Sequence, residues 1–550
     1  MNEMINVKIN DKIYSVEKGT TLEELLKQYP VNSEYEVLLA KVDNNLKELT
    51  YKLNSEKTIE FLDLTTQAGN RTYISGLIFV LIVAIKELYG KEKDITVEHS
   101  LDKGLYIESN FALNSKKVMD IEEKMKKIVA ENRSIKKVIV DRMEAIKYFK
   151  SVNDKSKEEV IKYNTNTYIT LYHLGNYYNY FYNKMPIRTG VLNDFKLNYV
   201  KDNGFMLRFK TVYIHDKIAD YTHHENMFKT FNTCKDWAKL MNVENASQLN
   251  KVVSNGKIDE LIRICENKQN NEFIEIAQNI VENKSAKVVL MAGPSSSGKT
   301  TSSKKLCLAL KSLGKNPSVI TMDDYFVERE ENPIDKDGKP DYECLEAIDL
   351  KLFDSQVEKL LNKEKVLIPT YNFITGKKEY KKQINLEADD ILVIEGIHAL
   401  DNRILNNIPK NKKYKIYVSA LTELNIDNHN RVSTTDNRLL RRIIRDNKTR
   451  GHGVEATLVG WPSVRKGEEK YIFPYQDEAD YTLNTALLYE IGVLKTYVEP
   501  LLYSIDTTSP YYYEAKRLID FLRNFLPIPA DAIPQDSIIR EFIGGSCYNE

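Results

Sequence analysis

The chain is predicted to be an α/β protein in its C-terminal half, with a parallel sheet flanked by helices. A small β-rich unit and a mixed α+β region precede it. Three observations predict this. From Ala286 onward short β-branched runs alternate with helical stretches, the pattern of a parallel sheet. A glycine-flanked turn, Gly293-Pro-Ser-Ser-Ser-Gly298-Lys299-Thr300, joins one such run to a helix. The first residues instead alternate apolar and polar side chains with a period of two, as hairpin strands do.

Taken in order, Val7 to Asn10 and Lys12 to Val16 read as a hairpin about an Asn-Asp turn. Thr20 and Thr21 precede Leu22-Glu-Glu-Leu-Leu, a helix start with a capping threonine and Glu24 close behind. Val37–Val42 and Thr58–Leu62 supply further strands, closing a first unit at 1–66. The second, 67–225, opens on Gly76 to Ile85, an apolar run of about ten residues. That is short of the ~20 a bilayer needs, so it reads as a buried helix. Its later part is rich in tyrosine, from Tyr163 to Tyr182, which suits either a wet-edged β core or stacking on RNA bases. Residues 226–285 have helical periodicity and read as a connector. The α/β unit spans 286–527. The tail, 528–550, opens Ile-Pro-Ala and is expected to lie extended on the surface.

Composition narrows the function. The 550 residues are 42% hydrophobic and carry 79 basic against 79 acidic side chains, so no global field draws the chain to nucleic acid or anionic lipid. Five cysteines without a CxxC pair, and an N-terminus without an apolar signal core, suggest a soluble protein of the cytoplasm, not membrane-bound.

The turn at Gly293 carries the chemistry. Its glycines let successive N–H groups of Ser295, Ser296, Ser297 and Gly298 face one anion, at a helix start whose dipole favours negative charge. Lys299 reaches the outer phosphates of a nucleotide, Thr300 is placed for Mg²⁺, and Thr301 continues the helix start. Asp323 and Asp324 follow the strand Ser318 to Met322. In an open sheet that position faces the ligand crevice, where a carboxylate accepts a proton; it equally suits a turn cap. Glu395 ends the apolar strand Ile391 to Ile394, in position to hold Mg²⁺ or simply to end the strand. Arg438, Arg441, Arg442 and Arg445 form a helical stripe, followed by Arg450. Such a stripe is either a solvated face or a lid carrying guanidinium groups to phosphates, hinged at Gly451 and Gly453.

From about Ala286 to Leu526 these motifs resemble the uridine kinase/phosphoribulokinase family of P-loop kinases. The resemblance implies ATP as co-substrate with Mg²⁺, and a nucleoside, uridine above all, as acceptor at its 5′-hydroxyl. Asp323 matches the catalytic aspartate. Glu343 falls where a carboxylate holds the sugar, and Tyr325 is assigned to the substrate beside Asp323. Pro369-Thr-Tyr371-Asn-Phe373 is similar to the segment whose tyrosine contacts the base. Glu395 matches the acid linked to Mg²⁺, and Arg442, Arg445 and Arg450 the lid arginines. Gly376 and Asn372 depart from the uridine–cytidine kinase pattern, where histidine and aspartate stand, and His452 replaces a further arginine. Base specificity is therefore left open.

Residues 7–64 resemble a TGS domain of β-grasp type. Residues 67 to about 225 resemble the editing domain of threonyl-tRNA synthetase, on Tyr172-His-Leu-Gly-Asn-Tyr and Thr189-Gly-Val-Leu-Asn-Asp-Phe195. The metal-ligand positions of that domain hold Thr72, Gly76, Phe181 and Met185, which implies a retained fold without the metal chemistry. Two alternatives stand beside the nucleoside kinase: an RNA- or ribosome-associated regulatory ATPase whose N-terminal half contacts RNA, and a sugar-phosphate kinase. Assembly as a homo-oligomer is expected.

Overall fold

The computed structural model describes residues 3–548 except 336, 337, 339, 373, 374, 388 and 423. The first unit is a five-stranded sheet in the order Lys12–Glu17, Met4–Ile9, Lys57–Leu62, Leu39–Val42, Asn45–Glu48. Its central pair, Met4–Ile9 and Lys57–Leu62, runs parallel, and every other pair is antiparallel. The hairpin turns at Asn10 and Asp11, both at positive φ, where Asn and Asp are the side chains most often tolerated. The helix Leu22–Gln28 starts in a full capping box between Thr21 and Glu24. The strand Asn45–Glu48, which ends the sheet, has no clear alternation and was not expected.

In the second unit the buried helix is longer than its apolar run implies. It extends over Gln67–Tyr89, 23 residues, because Thr66 caps it and polar turns flank the apolar centre. By length and composition it matches a membrane span, yet 72% of its most apolar window is buried inside the protein. A four-stranded antiparallel sheet and a three-stranded one, Tyr177–Asn179, Tyr168–Leu174 and Ile135–Asp141, pack around it. The tyrosines are divided. Tyr172 donates to Glu48 and Tyr180 to Asn524, both from buried positions, whereas Tyr168 is exposed. Phe181 packs against Phe79, and a Cβ on Gly76 would meet Pro186 and Leu192. Thr72 and Met185 are buried. A hydroxyl, a bare backbone, a ring and a thioether in such packing do not make a zinc donor set.

The connector is helical as expected, in Glu225–Leu240, Ala246–Ser254 and Ile258–Glu282. It is more than a linker: Val243, Leu249 and Ile262 share one apolar core with Leu439, Ile443 and Leu494 of the α/β unit. A buried polar knot also joins the halves. Lys157 lies 3.2 Å from Asp427, and His429 lies 3.0 Å from Asp94.

The α/β unit holds a five-stranded, wholly parallel sheet in the order Pro317–Thr321, Ile391–Glu395, Val288–Ala292, Lys413–Ser419, Tyr481–Asn484. Val288–Ala292 and Ile391–Glu395 are buried along their whole length, which is why they read as unbroken apolar runs. An antiparallel ribbon, Val366–Asn372 with Lys377–Ile384, projects beside the sheet.

The tail corrects the expectation of a surface strand. Ile528, Ile533, Ile538, Ile539, Phe542 and Ile543 are all buried, and Arg540–Ile543 forms a short helix. The apolar pairs at 538–539 and 542–543 recur four residues apart, the spacing of a helical face; Ile538 and Phe542 seat the tail against the phosphate-loop helix, and Ile539 and Ile543 against the core around Leu439 and Ile443.

Candidate active site

The phosphate loop follows its strand at the carboxyl edge of the sheet and opens the helix Lys299–Ser312. Two glycines are required by geometry. A Cβ on Gly293 would lie 2.0 Å from the Val418 carbonyl oxygen. Gly298 is left-handed at φ 86° and caps the helix. Ser296 also has positive φ, 59°, so the loop curls its N–H groups inward. The Ser296, Ser297 and Ser302 hydroxyls are buried without partners among the described residues.

The back of the loop is held by buried charge. Arg438 donates to the Ser295 carbonyl at 3.1 Å and pairs with Glu468, which accepts from the Ser295 N–H at 3.1 Å. Arg441 donates to the Ser296 carbonyl at 3.3 Å and pairs with Glu490. The arginine stripe therefore splits. Arg438 and Arg441 are 1% and 0% exposed and brace the loop, because the helix Thr434–Thr449 is covered on both sides, not solvated on one.

Arg442, Arg445 and Arg450 are arranged differently. All three approach one buried carboxylate, Asp446, at 3.1, 3.1 and 3.7 Å. Arg442 also donates to the Ser295 hydroxyl at 2.7 Å. Three guanidinium groups around one acid leave an excess of positive charge. Desolvation and the neighbouring Arg445 hold Arg450 below its usual range. That surplus suits a phosphate anion.

Opposite lies an acidic group. The Thr300 hydroxyl donates to Glu395 at 3.1 Å, and Thr321 donates to the same carboxylate at 3.2 Å. Burial pushes Glu395 up to about 7 against the pull of Lys299, with Asp323 and Glu541 raising it further. Burial likewise holds the Lys299 ammonium below the usual lysine range, against the attraction of Glu395, Asp323 and Glu541. A hydroxyl and a carboxylate desolvated together fit a hard divalent cation such as Mg²⁺, which takes one or two protein oxygens and fills its sphere with water and phosphate. No three His, Cys, Asp or Glu side chains gather into a metal cage among the described residues.

The two adjacent aspartates have different duties. Asp324 accepts the Tyr371 N–H at 3.2 Å and so ties the ribbon to the sheet edge. Asp323 accepts no hydrogen bond among the described residues, yet its charge acts on Lys299, Glu395, Glu343 and Arg450. It is the free carboxylate of the gap. Glu343 packs over Gly467, where an added Cβ would meet its own at 2.6 Å. Burial and the nearby Glu468 push its carboxyl up to about 7.

Tyr325 corrects the assignment made from sequence. Its ring is fully buried against Phe353, and its hydroxyl donates to Gln356 at 2.8 Å, so it anchors the turn and does not face an acceptor. Tyr371 is mostly buried, 5.6 Å ring to ring from Phe326. Phe373 lies outside the described residues. Gly376 sits at φ 73°, and Arg329 crosses the space where its Cβ would be, 2.7 Å away. A histidine there would meet both strain and that arginine.

Glu541 of the tail was not anticipated from sequence. Its carboxylate accepts the Thr301 N–H at 3.1 Å, at the open start of the loop helix. Ile538 packs on Gly298, and the Arg441 guanidinium lies 4.9 Å from the Phe542 ring centroid.

Residues 288–487 match the model of the Phosphoribulokinase / Uridine kinase family. This part of the chain is a P-loop phosphotransferase domain with an alcohol acceptor. Over 198 residues the chain is 27% identical to a uridine kinase of Staphylococcus aureus (strain JH9), covering 36% of this chain and 86% of that protein. A threonine–tRNA ligase of Clostridium novyi (strain NT) is 31% identical over 162 residues, 29% of this chain. The chain spans only a quarter of that ligase's length. A solved structure described as a possible uridine kinase from Bacillus stearothermophilus aligns with 39% of this chain and 98% of its own, at 18% identity and a TM-score of 0.27. The residues matched by the family, 288–487, hold the loop, the acidic pair and the arginines.

Proposed function

We propose that the protein transfers the γ-phosphoryl group of ATP to the 5′-hydroxyl of uridine or a related nucleoside. The observation that carries this is the pairing of a free carboxylate with a phosphate cradle. Asp323 is left unbonded while its neighbour Asp324 is tied to backbone, and its charge reaches Lys299 and Arg450 across one gap. The loop N–H groups and Lys299 bind the triphosphate. Asp323 accepts the proton of the attacking hydroxyl. Arg442, Arg445 and Arg450 neutralise the charge on the transferring group. Thr300 and Glu395 are the residues that would hold Mg²⁺, which when bound supplies charge neutralisation to the phosphates. Glu343 orients the acceptor sugar and Tyr371 borders its base. Catalysis is then positioning and electrostatics, with no covalent intermediate.

The same reading assigns residues 1–66 to a TGS-like unit and 67–225 to a synthetase-editing-like unit that has kept its fold without the metal site. The similarity to a threonine–tRNA ligase supports it. Four of the five cysteines are buried and all are free, which suits a reducing cytoplasm. The experiment is ADP release over a panel of nucleosides and sugar phosphates. Turnover of pyrimidine nucleosides supports the assignment, and turnover of sugar phosphates alone overturns it.

A further inference from the structure

Where the two N-terminal units meet the helix Tyr512–Leu522 there is a cavity of about 480 Å³. None of its lining residues belongs to the phosphate loop. Lys47 and Lys52 reach it from the first unit, Lys184 from the second, and Arg517 from the C-terminal helix. The other cations of its wall are neutralised: Lys137 lies 3.1 Å from Glu48, Lys516 3.5 Å from Asp520, and Arg71 2.6 Å from Glu514. Lys47, Lys52 and Lys184 make no direct ion pair among the described residues, although Glu48 of the same wall acts on Lys47 and Lys184, and Asp520 on Lys184. Burial, then the charges of Lys137 and Lys516, hold Lys47 below the usual lysine range. Burial holds Lys184 down as well.

In a chain of zero net charge, three ammonium groups without an ion pair around one partly open space carry an electrostatic cost that a polyanion removes. The wall also carries flat apolar surface. Tyr51 lies under Lys47, with the ammonium 4.8 Å from the ring centroid, and Tyr182 and Tyr513 border the same space. The volume suits one small ligand, such sites running from roughly 300 to 1,000 Å³.

We propose that this cavity is a second nucleotide site, in which Lys47, Lys52 and Lys184 hold the phosphates of a nucleoside polyphosphate and the tyrosines receive its base. The site is wired to the catalytic half. Arg517 on its wall donates to both oxygens of Asp436, at 2.7 and 2.9 Å, in the helix that carries Arg442 and Arg445. Glu514 bridges Arg517 and Arg71 from behind. A ligand that draws on either arginine shifts that helix, and by reciprocity nucleotide at the phosphate loop alters affinity here.

The test is isothermal titration of the full chain with uridine 5′-triphosphate, inorganic phosphate and a short single-stranded RNA, each against wild type and the double variant Lys47→Ala/Lys184→Ala. The wild type should show a triphosphate-binding event that weakens about tenfold or more in the double variant, as loss of charge-assisted bonds implies. ADP release by that variant at saturating ATP should persist, because none of these lysines touches the loop. Lys52→Glu, at an exposed position, serves as a second variant should the double one fail to fold. Three results overturn the proposal: the same stoichiometry and affinity in wild type and variants, inorganic phosphate binding as tightly as nucleotide, or binding of the RNA alone. The readout is binding, so it stands or falls separately from the acceptor assigned above.

Discussion

Replacing Glu541 by glutamine probes the contact that the tail makes with the phosphate loop. The Glu541 carboxylate accepts the Thr301 N–H at 3.1 Å, one of the donors that a phosphate at this helix start would take. A charged acceptor on such a donor contributes about 1.5–3 kcal/mol when fully buried. Glu541 is only half-buried, so solvent screening reduces the competing term to about 1 kcal/mol. Its negative charge also draws on Lys299, which must turn to the nucleotide. Glu541→Gln keeps the shape and removes the charge. ATP should then bind about fivefold more tightly, since 1.4 kcal/mol is tenfold. The empty protein should melt about 2 °C lower, having lost a favourable helix N-terminal charge. Titration with a non-hydrolysable ATP analogue and thermal melts without nucleotide supply both numbers. Weaker or unchanged nucleotide binding would refute the idea that this carboxylate competes with phosphate.

Arg445→Ala and Arg450→Ala should each lower kcat by about 10²–10³, with a smaller change in the KM for ATP, if their charge acts on the transferring group; steady-state kinetics separates the two. Glu468→Gln leaves Arg438 buried without its carboxylate and should cost about 3–5 kcal/mol of stability, seen as a large drop in Tm with loss of nucleotide binding. Glu343, pushed up to about 7, is protonated at mildly acidic pH, so acceptor kcat/KM should rise as pH climbs from 6 through 7, and Glu343→Gln should flatten that limb. The fold favours the protonated form of Glu343. Its contribution to stability is therefore fully present below the ordinary glutamate range and is lost as pH rises through about 7, which pH-dependent melts of wild type and variant would register.

The places of the phosphate loop and Thr300 at a helix start, and of Asp323 and Glu395 at strand ends, were legible in the sequence because each is fixed by a local rule: glycine spacing, or an acid at the end of an apolar strand. The same locality explains what was missed. The amphipathic look of the arginine helix hides that Arg438 and Arg441 find Glu468 and Glu490, 30 and 49 residues away, and no periodicity encodes those pairs. Tyr325 follows the aspartates in sequence, but the tight turn after the strand sends its ring into the core. The tail was misread because its prolines signal an extended chain, although the pairs Ile538-Ile539 and Phe542-Ile543 already mark a buried helical face. The first hairpin and its capped helix were visible residue by residue, whereas the edge strand Asn45–Glu48 lacks any alternation to reveal it.

The central claim is that Asp323 takes the proton of a nucleoside hydroxyl at a triphosphate cradle. Comparing wild type with Asp323→Asn in coupled ADP release, with uridine as acceptor, tests it most directly. The expected result is uridine-dependent turnover by wild type, a fall of about 10² or more in kcat for the variant, and unchanged affinity for the ATP analogue. Uridine turnover that survives the substitution would contradict it.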